Sequence, residues 1–362
     1  MSTPPNTPRL ALVFSGGGAR GAFGAGVLYQ LRQTYPELVW DIVSGTSTGA
    51  LIAPFAVLGL QDPTYFDTVA NLYRSARFSD ILEWNFLPSD GLFNLHPLKN
   101  RIEAHLKQPD FTAIRGSDVC VILNATDLQT GELVLCTQPQ YQNDIYQKLQ
   151  QSLPRVRFVD FDNNFECMML ASSSMPVFMS TGTCGGNSDR LVDGGLVDIA
   201  PLRAAKAASA THAVCVLMQN HEPFPVSRPN GTAGVGLRAL SLIECEILRN
   251  DVADTSMAIQ TRNYLSTNGL LSDSNVVQIV NWLDQAAGVL EEVHVIQPKL
   301  DIDSDLEFNK KVPSDWPENS TGAFTSIMEA RFQYGRRIVQ GLASGSAEEQ
   351  QLDALLSNWP SL

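Results

Sequence analysis

The six cysteines of this 362-residue chain, at 120, 136, 167, 184, 215 and 245, include no Cys-x-x-Cys pair. Their spacing excludes a zinc ribbon and a dense disulfide framework, so six reduced thiols in or near a core are expected. Basic residues are scarce as well. The chain has 25 Lys and Arg against 38 Asp and Glu, a formal charge of −13. Such a surface repels nucleic acid and anionic headgroups at long range, so no nucleic-acid partner is expected. A long apolar run is also missing. Residues 42–61 are uncharged, but their continuously apolar part, Ala50 to Leu60, contains Pro54 and falls short of the ~20 residues a spanning helix needs. The N-terminal MSTPPNTPRL lacks the charged segment and apolar run of a secretory signal, and a cytoplasmic location is expected. What the chain does have is a 44% hydrophobic composition, enough for a packed core and too much for wholesale disorder.

Residues 1–8 are rich in Pro, Ser and Thr and are expected to fray. Leu10 to Phe14 is a short apolar run ending at Ser15-Gly16-Gly17-Gly18, the pattern of a buried parallel strand. Ala19 to Gln33 has helical spacing, Val39 to Val43 reads as a second strand, and Ala50 to Leu60 as an apolar helix. This rhythm predicts an α/β domain with a mostly parallel sheet. A helical insert is expected over about 62–115, then strands at Val119–Leu123 and Leu133–Cys136. Gln138 to Gln151 is a polar stretch with few apolar anchors. Further strands fall at Ala213–Met218 and His294–Gln297, and helices at Val235–Ala258 and Phe324–Leu342. No clear linker divides the chain, which predicts one enlarged domain over 9–300, with 301–362 an extension packed on it.

Three stretches carry chemistry. Ser15-Gly16-Gly17-Gly18-Ala19-Arg20-Gly21 lies between a strand and a helix. Successive glycines aim amide N–H groups at a bound group, and the helix N-terminus adds positive potential, which suits a phosphate or an oxyanion. Gly16-x-Gly18-x-x-Gly21 also fits a dinucleotide fingerprint, which wants an acid at the end of the second strand. Asp41 stands near the start of that strand and Glu37 before it, which weakens a nucleotide-binding reading without removing it. Gly45-Thr46-Ser47-Thr48-Gly49, between a strand and a helix, has the form of a nucleophile elbow. Asp193-Gly194-Gly195 places an aspartate at a strand end with open space beside it. Alone, that tripeptide is turn chemistry.

Taken in order, these stretches resemble the patatin-like phospholipase family, whose pattern is G-G-G-x-R-G, then G-x-S-x-G, then D-G-G/A. Ala125-Thr126-Asp127-Leu128-Gln129-Thr130-Gly131-Glu132 and Ala171-Ser172-Ser173-Ser174-Met175-Pro176 are similar to the family too, so the likeness runs from about Leu10 to Ala205. The resemblance implies a three-layer α/β/α fold with a central mostly parallel sheet. It implies a carboxylic ester hydrolase acting on fatty acyl esters of (lyso)phospholipids without metal or organic cofactor. Ser47 would be the nucleophile, Asp193 the general base, and the amides of Gly16, Gly17 and Gly18 the oxyanion hole. Arg20 and Gly21 would support that loop, Gly45 and Gly49 would frame the elbow, and Gly194 and Gly195 would follow the base.

An aspartate of pKa ~3.9 is a weak base at neutral pH, so a Ser–Asp–His triad stays open, with His212, His221 or His294 as third member. His96 and His105 precede Asp193 and fall in the expected insert. Asp301-Ile302-Asp303-Ser304-Asp305 lacks the glycine and glutamate of a calcium loop and reads as a solvated acidic segment. Trp84-Asn85-Phe86-Leu87-Pro88 is either an apolar lip that touches lipid or packing beneath the insert. The partner expected is a lipid or membrane-surface substrate, reached by apolar contact rather than charge.

Overall fold

The computed structural model describes residues 7–85, 91–152, 155–184, 190–222, 231–271, 279, 290–299 and 326–359. Phe86, Leu87, the Asp301 to Asp305 stretch and most of the N-terminal segment lie outside them. In chain order the elements are β1 (Leu10–Phe14), α1 (Gly21–Thr34), β2 (Ile42–Thr46), α2 (Thr48–Leu58), α3 (Thr64–Arg74), β3 (Glu83–Trp84) and β4 (Phe93–Asn94). There follow α4 (His96–His105), α5 (Gln108–Arg115), β5 (Cys120–Asp127), β6 (Leu133–Thr137), α6 (Pro139–Ser152), β7 (Val156–Phe158) and α7 (Phe161–Ser172). The last are β8 (Leu191–Asp193), α8 (Leu202–Ala207), β9 (His212–Val216), α9 (Gly231–Thr267), β10 (Glu292–Ile296), α10 (Ile327–Gln340) and α11 (Ala347–Asn358).

One sheet runs β10-β9-β1-β2-β5-β6-β7, with β8 joined to β5. The pairs from β10 to β5 are parallel, while β6 and β8 run antiparallel to β5. Both faces are covered. Leu10, Leu12 and Phe14 of β1 join the core under α1, α2, α7 and α10, and Ala11 and Val13 join the core under α6, α8 and α9. Burial on both faces explains why β1 reads as a continuous apolar run rather than an alternating one. This is the expected three-layer α/β/α fold. Residues Phe66, Leu98 and Ile102, from the stretch 62–115, pack into the first of those cores.

Several expectations need correction. The second strand begins at Ile42 and continues to Thr46, so the turn after it shrinks to Ser47. The polar stretch after Cys136 is helix α6, anchored by buried Ile145 and Leu149 with Tyr141 packed beside them; three anchors at i, i+4 and i+8 suffice for a helix lying on a sheet. Helix α7 fills the Phe161–Ser172 stretch, which carried no expected element. The cysteines are not all thiols, because Cys167 on α7 and Cys184 are disulfide-bonded, with Cα atoms 5.9 Å apart. The cause is tertiary. Gly182 pairs with Leu191 at the head of β8 and packs against Ala171 of α7, a juxtaposition invisible in cysteine spacing. The other four cysteines are buried thiols, and burial pushes Cys120 and Cys215 up to about 12. Among the described residues, no helix is long and apolar enough to cross a membrane.

Candidate active site

Strand β5 is the ruler on which the site is measured. β6 occupies one of its edges along Ile122–Thr126, so β2 and β8 share the other. Thr46, the last residue of β2, pairs with Asn124, and Asp193, the last of β8, pairs with Ala125. The two strands therefore meet head-on, and Ser47 and Asp193 emerge side by side.

Ser47 has φ 54° and ψ −123°, a conformation that costs a non-glycine residue of order 1–3 kcal/mol. Its surroundings hold it there. A β-carbon on Gly45 would lie 2.3 Å from the Gly49 carbonyl oxygen, and one on Gly49 would lie 2.2 Å from that of Phe14. The Ser47 N–H donates to Ser172 Oγ at 2.7 Å, and Ser173 Oγ donates to the Ser47 carbonyl at 3.2 Å. Next along, Thr48 Oγ1 lies 2.6 Å from the Tyr73 hydroxyl. Burial pushes that phenol above its ordinary pKa, so it stays a neutral hydrogen-bonding group.

The glycine loop follows β1. Gly17 has φ 156° and Gly18 φ 51°, and a β-carbon on Gly17 would lie 2.4 Å from Met218 Cβ. Among the described residues the N–H groups of Gly17 and Gly18 donate to no protein acceptor. Gly16 departs from expectation. Its N–H already donates to the Ile199 carbonyl at 3.0 Å, so it is a tether rather than a donor for a ligand, and the loop offers Gly17 and Gly18. Arg20 is buried, donating from Nε to the Gly17 carbonyl at 3.3 Å and standing 3.6 Å from Glu244 of α9.

Asp193 caps a short turn, with Oδ1 accepting from the Gly195 N–H at 2.8 Å. Its own N–H donates to the Ser174 carbonyl at 2.9 Å. Below it, Asn124 Nδ2 donates to the Asp198 carbonyl at 2.9 Å, and Thr46 Oγ1 lies 2.7 Å from Asn124 Oδ1.

Ser47, Asp193 and Gly18 line one cavity, whose space with its open mouth is about 910 Å³. The rest of its wall is mostly apolar, with Leu51 and Phe55 from α2, Leu98 and Ile102 from α4, and Met175 beside them. Arg101 also borders it, but its guanidinium is engaged by the Leu72 carbonyl at 2.7 Å and Asp80 at 3.0 Å. No histidine lines this space. His212 is bonded to Thr211 and packs on Trp359 with ring centres 5.1 Å apart; it pairs with Leu10 at the start of β1, the opposite end of that strand from the glycine loop. His221 bonds Gln297 at 2.9 Å, and His294 bonds Glu292 at 3.0 Å. Among the described residues there is no group of three or more His, Cys, Asp and Glu suited to a metal ion.

A model of the patatin-like phospholipase family matches residues 12–206, more than half of the chain. The chain belongs to this family. Patatin-like phospholipases are lipid hydrolases, and the matched span runs from β1 into α8, taking in the glycine loop, Ser47 and Asp193. Helices α9, α10 and α11 fall outside it. No curated protein matches the chain. The crystal structure of VipD from Legionella pneumophila is similar at 12% identity and a TM-score of 0.33, covering 93% of this chain and 67% of that one.

In this patatin-like chain, sequence motifs led to Ser47, Asp193, the glycines and Arg20, but not to the hydrogen-bonding side chains around them. Ser172 and Ser173 sit in a stretch already recognised as family-like, without a role attached. Asn124, Tyr73 and Asp198 had no signal at all, since each acts through a contact more than 20 residues away in sequence.

Proposed function

We propose that the protein hydrolyses fatty acyl esters of phospholipids or lysophospholipids through an acyl-enzyme on Ser47, with Asp193 as general base. One observation carries this reading: a strained, backbone-clamped serine and an aspartate share an apolar cavity that no histidine lines. Ser47 Oγ attacks the ester carbonyl carbon while Asp193 takes its proton. The oxyanion is met by the N–H groups of Gly17 and Gly18, and one such donor is typically worth ~3–4 kcal/mol. Collapse expels the alcohol, which recovers the proton from Asp193, and the acyl group stays on Ser47. Water, deprotonated by Asp193, then releases the fatty acid and restores the serine. The apolar walls of the cavity suit the acyl chain.

Access to lipid is proposed to be by apolar contact. Trp84 is 62% exposed with its ring 4.5 Å from that of Phe93, and Val177 is 71% exposed. Val177 adjoins Leu92 through the hydrogen bond from the Leu92 N–H to its carbonyl, and Met175 and Met179 on either side of it line the cavity. The test is labelling by a fluorophosphonate together with fatty-acid release from a panel of lipids, with Ser47→Ala alongside. Labelling at Ser47 and turnover lost in the variant are expected. Parental turnover by Ser47→Ala would overturn the reading.

A further inference from the structure

Residues 198–201, between Asp193 and α8, form a buried junction. The Asp198 carbonyl accepts from Asn124, the Ile199 carbonyl accepts from the Gly16 N–H, and the Pro201 carbonyl accepts from Ser44 Oγ at 3.1 Å. Together these carbonyls reach β5, the glycine loop and β2. The amides of this junction turn the other way. Asp251 Oδ2, on α9, accepts from the N–H groups of both Ile199 and Ala200, at 3.2 and 3.3 Å. Asp251 is buried, and its second oxygen stands 3.7 Å from Arg203. α9 lies outside the span matched by the family model.

We infer that Asp251 is a positioning residue for ester hydrolysis: by clamping the Ile199–Ala200 amides it fixes the Ile199 carbonyl that tethers Gly16, and so aims the N–H groups of Gly17 and Gly18. The role rests on the hydrolase reading above. One acceptor oxygen held by two consecutive amides sets the orientation of both peptide planes. A carbonyl whose plane is fixed holds its donor at one angle, and hydrogen bonds weaken steeply as that angle opens. Loss of the clamp lets the glycine loop sample orientations in which the donors miss the oxyanion, which affects the transition state and leaves the apolar cavity as it was.

The test uses Asp251→Ala and Asp251→Asn, since the asparagine oxygen keeps the acceptor on a side chain that cannot ionise. Should Asp251→Ala fail to fold, Asp251→Ser takes its place, its hydroxyl being one bond shorter than the carboxylate. Turnover of a soluble short-chain ester is divided by the number of serines titrated with a fluorophosphonate, so a loss of folded protein cancels. The alanine variant is expected to lose 10-fold or more in kcat per titrated serine with KM changed less than 3-fold, and the asparagine variant to recover most of it. Amide hydrogen exchange supplies a readout that needs no activity, with Gly16 protection reduced in Asp251→Ala and restored in Asp251→Asn. Parental kcat per titrated serine, or parental Gly16 protection in Asp251→Ala, would overturn the inference. If the parent protein takes no label and turns over no ester, the hydrolase reading fails, and the exchange experiment alone decides whether Asp251 holds the loop.

Discussion

The two flanks of Ser47 are built from opposite materials. On one side α2, α4 and Met175 present apolar side chains to an open cavity. On the other, Thr46, Asn124, the 198–201 junction and Asp251 form a buried hydrogen-bonded lattice. Apolar contact is non-directional and scales with area, whereas a hydrogen bond demands distance and angle. The first flank can therefore accept a flexible chain in more than one pose. The second can hold a serine, an aspartate and two amides in one arrangement. Changes on the cavity side should grade the choice of substrate, and changes around the reacting groups should act on the rate itself.

The largest effects test the second half of that contrast. Ser47→Ala and Asp193→Asn should each abolish ester hydrolysis, measured by fatty-acid release, while His212→Gln, His221→Gln and His294→Gln keep most of it. Ser47→Gly should also be inactive yet melt at a higher temperature than the parent, because glycine relieves the φ 54° backbone, a gain of about 1 kcal/mol or more. Gly17→Ala should cost roughly 10²-fold or more in kcat if one oxyanion donor is misplaced, since the new methyl meets Met218. Fluorophosphonate labelling should slow in parallel.

On the cavity side, Ile102→Trp should fill space beside the apolar wall and shift preference toward shorter acyl chains. A discrimination of about 10-fold between long and short esters would be in line with a few methylenes' worth of lost contact. A parental chain-length profile would mean that the acyl chain does not use this wall.

Smaller still is a stability effect within the polar flank. Burial pushes the Asp198 carboxyl up to about 6, with Arg203 and Lys206 acting in the opposite direction. A carboxyl with a raised folded-state pKa contributes stability below its unfolded value, and that contribution is lost as pH rises through about 6. Asp198→Asn should accordingly gain in melting temperature relative to the parent between pH 4 and 7. An unchanged difference across that range would show that Asp198 does not titrate in it. The smallest effect is expected at the surface. Trp84→Ala combined with Leu92→Ala should lower activity a few-fold on vesicles and leave a soluble ester unaffected, with added salt helping or doing little, since a charge of −13 gives no attraction to anionic lipid. Equal losses on both substrates would assign the pair to packing.

Sequence reading found what depends on local chemistry. A serine between glycines, a glycine loop after an apolar strand and an aspartate before two glycines are each set by backbone geometry over a few residues, and the β1-α1-β2-α2 order that opens the chain followed from periodicity. It missed what depends on distant chain. That Gly16 spends its N–H on Ile199, or that Cys167 meets Cys184, follows from how β8 is threaded beside β5 and α7, and no spacing rule encodes it. Helix α6 was missed for another reason: its buried stripe is only three residues wide in a polar sequence, and burial against the sheet outweighs that weak amphipathic signal.

The head-on meeting of β2 and β8 makes the site unusually sensitive to chain length. β8 has three paired residues, and side chains alternate between faces along a strand. A one-residue slip would turn the Asp193 carboxylate to the far face and bring Val192 into its place. Single-residue insertions or deletions between Leu191 and Asp193 should therefore be as damaging as removing the aspartate, while two-residue changes would restore the face and misplace only the height.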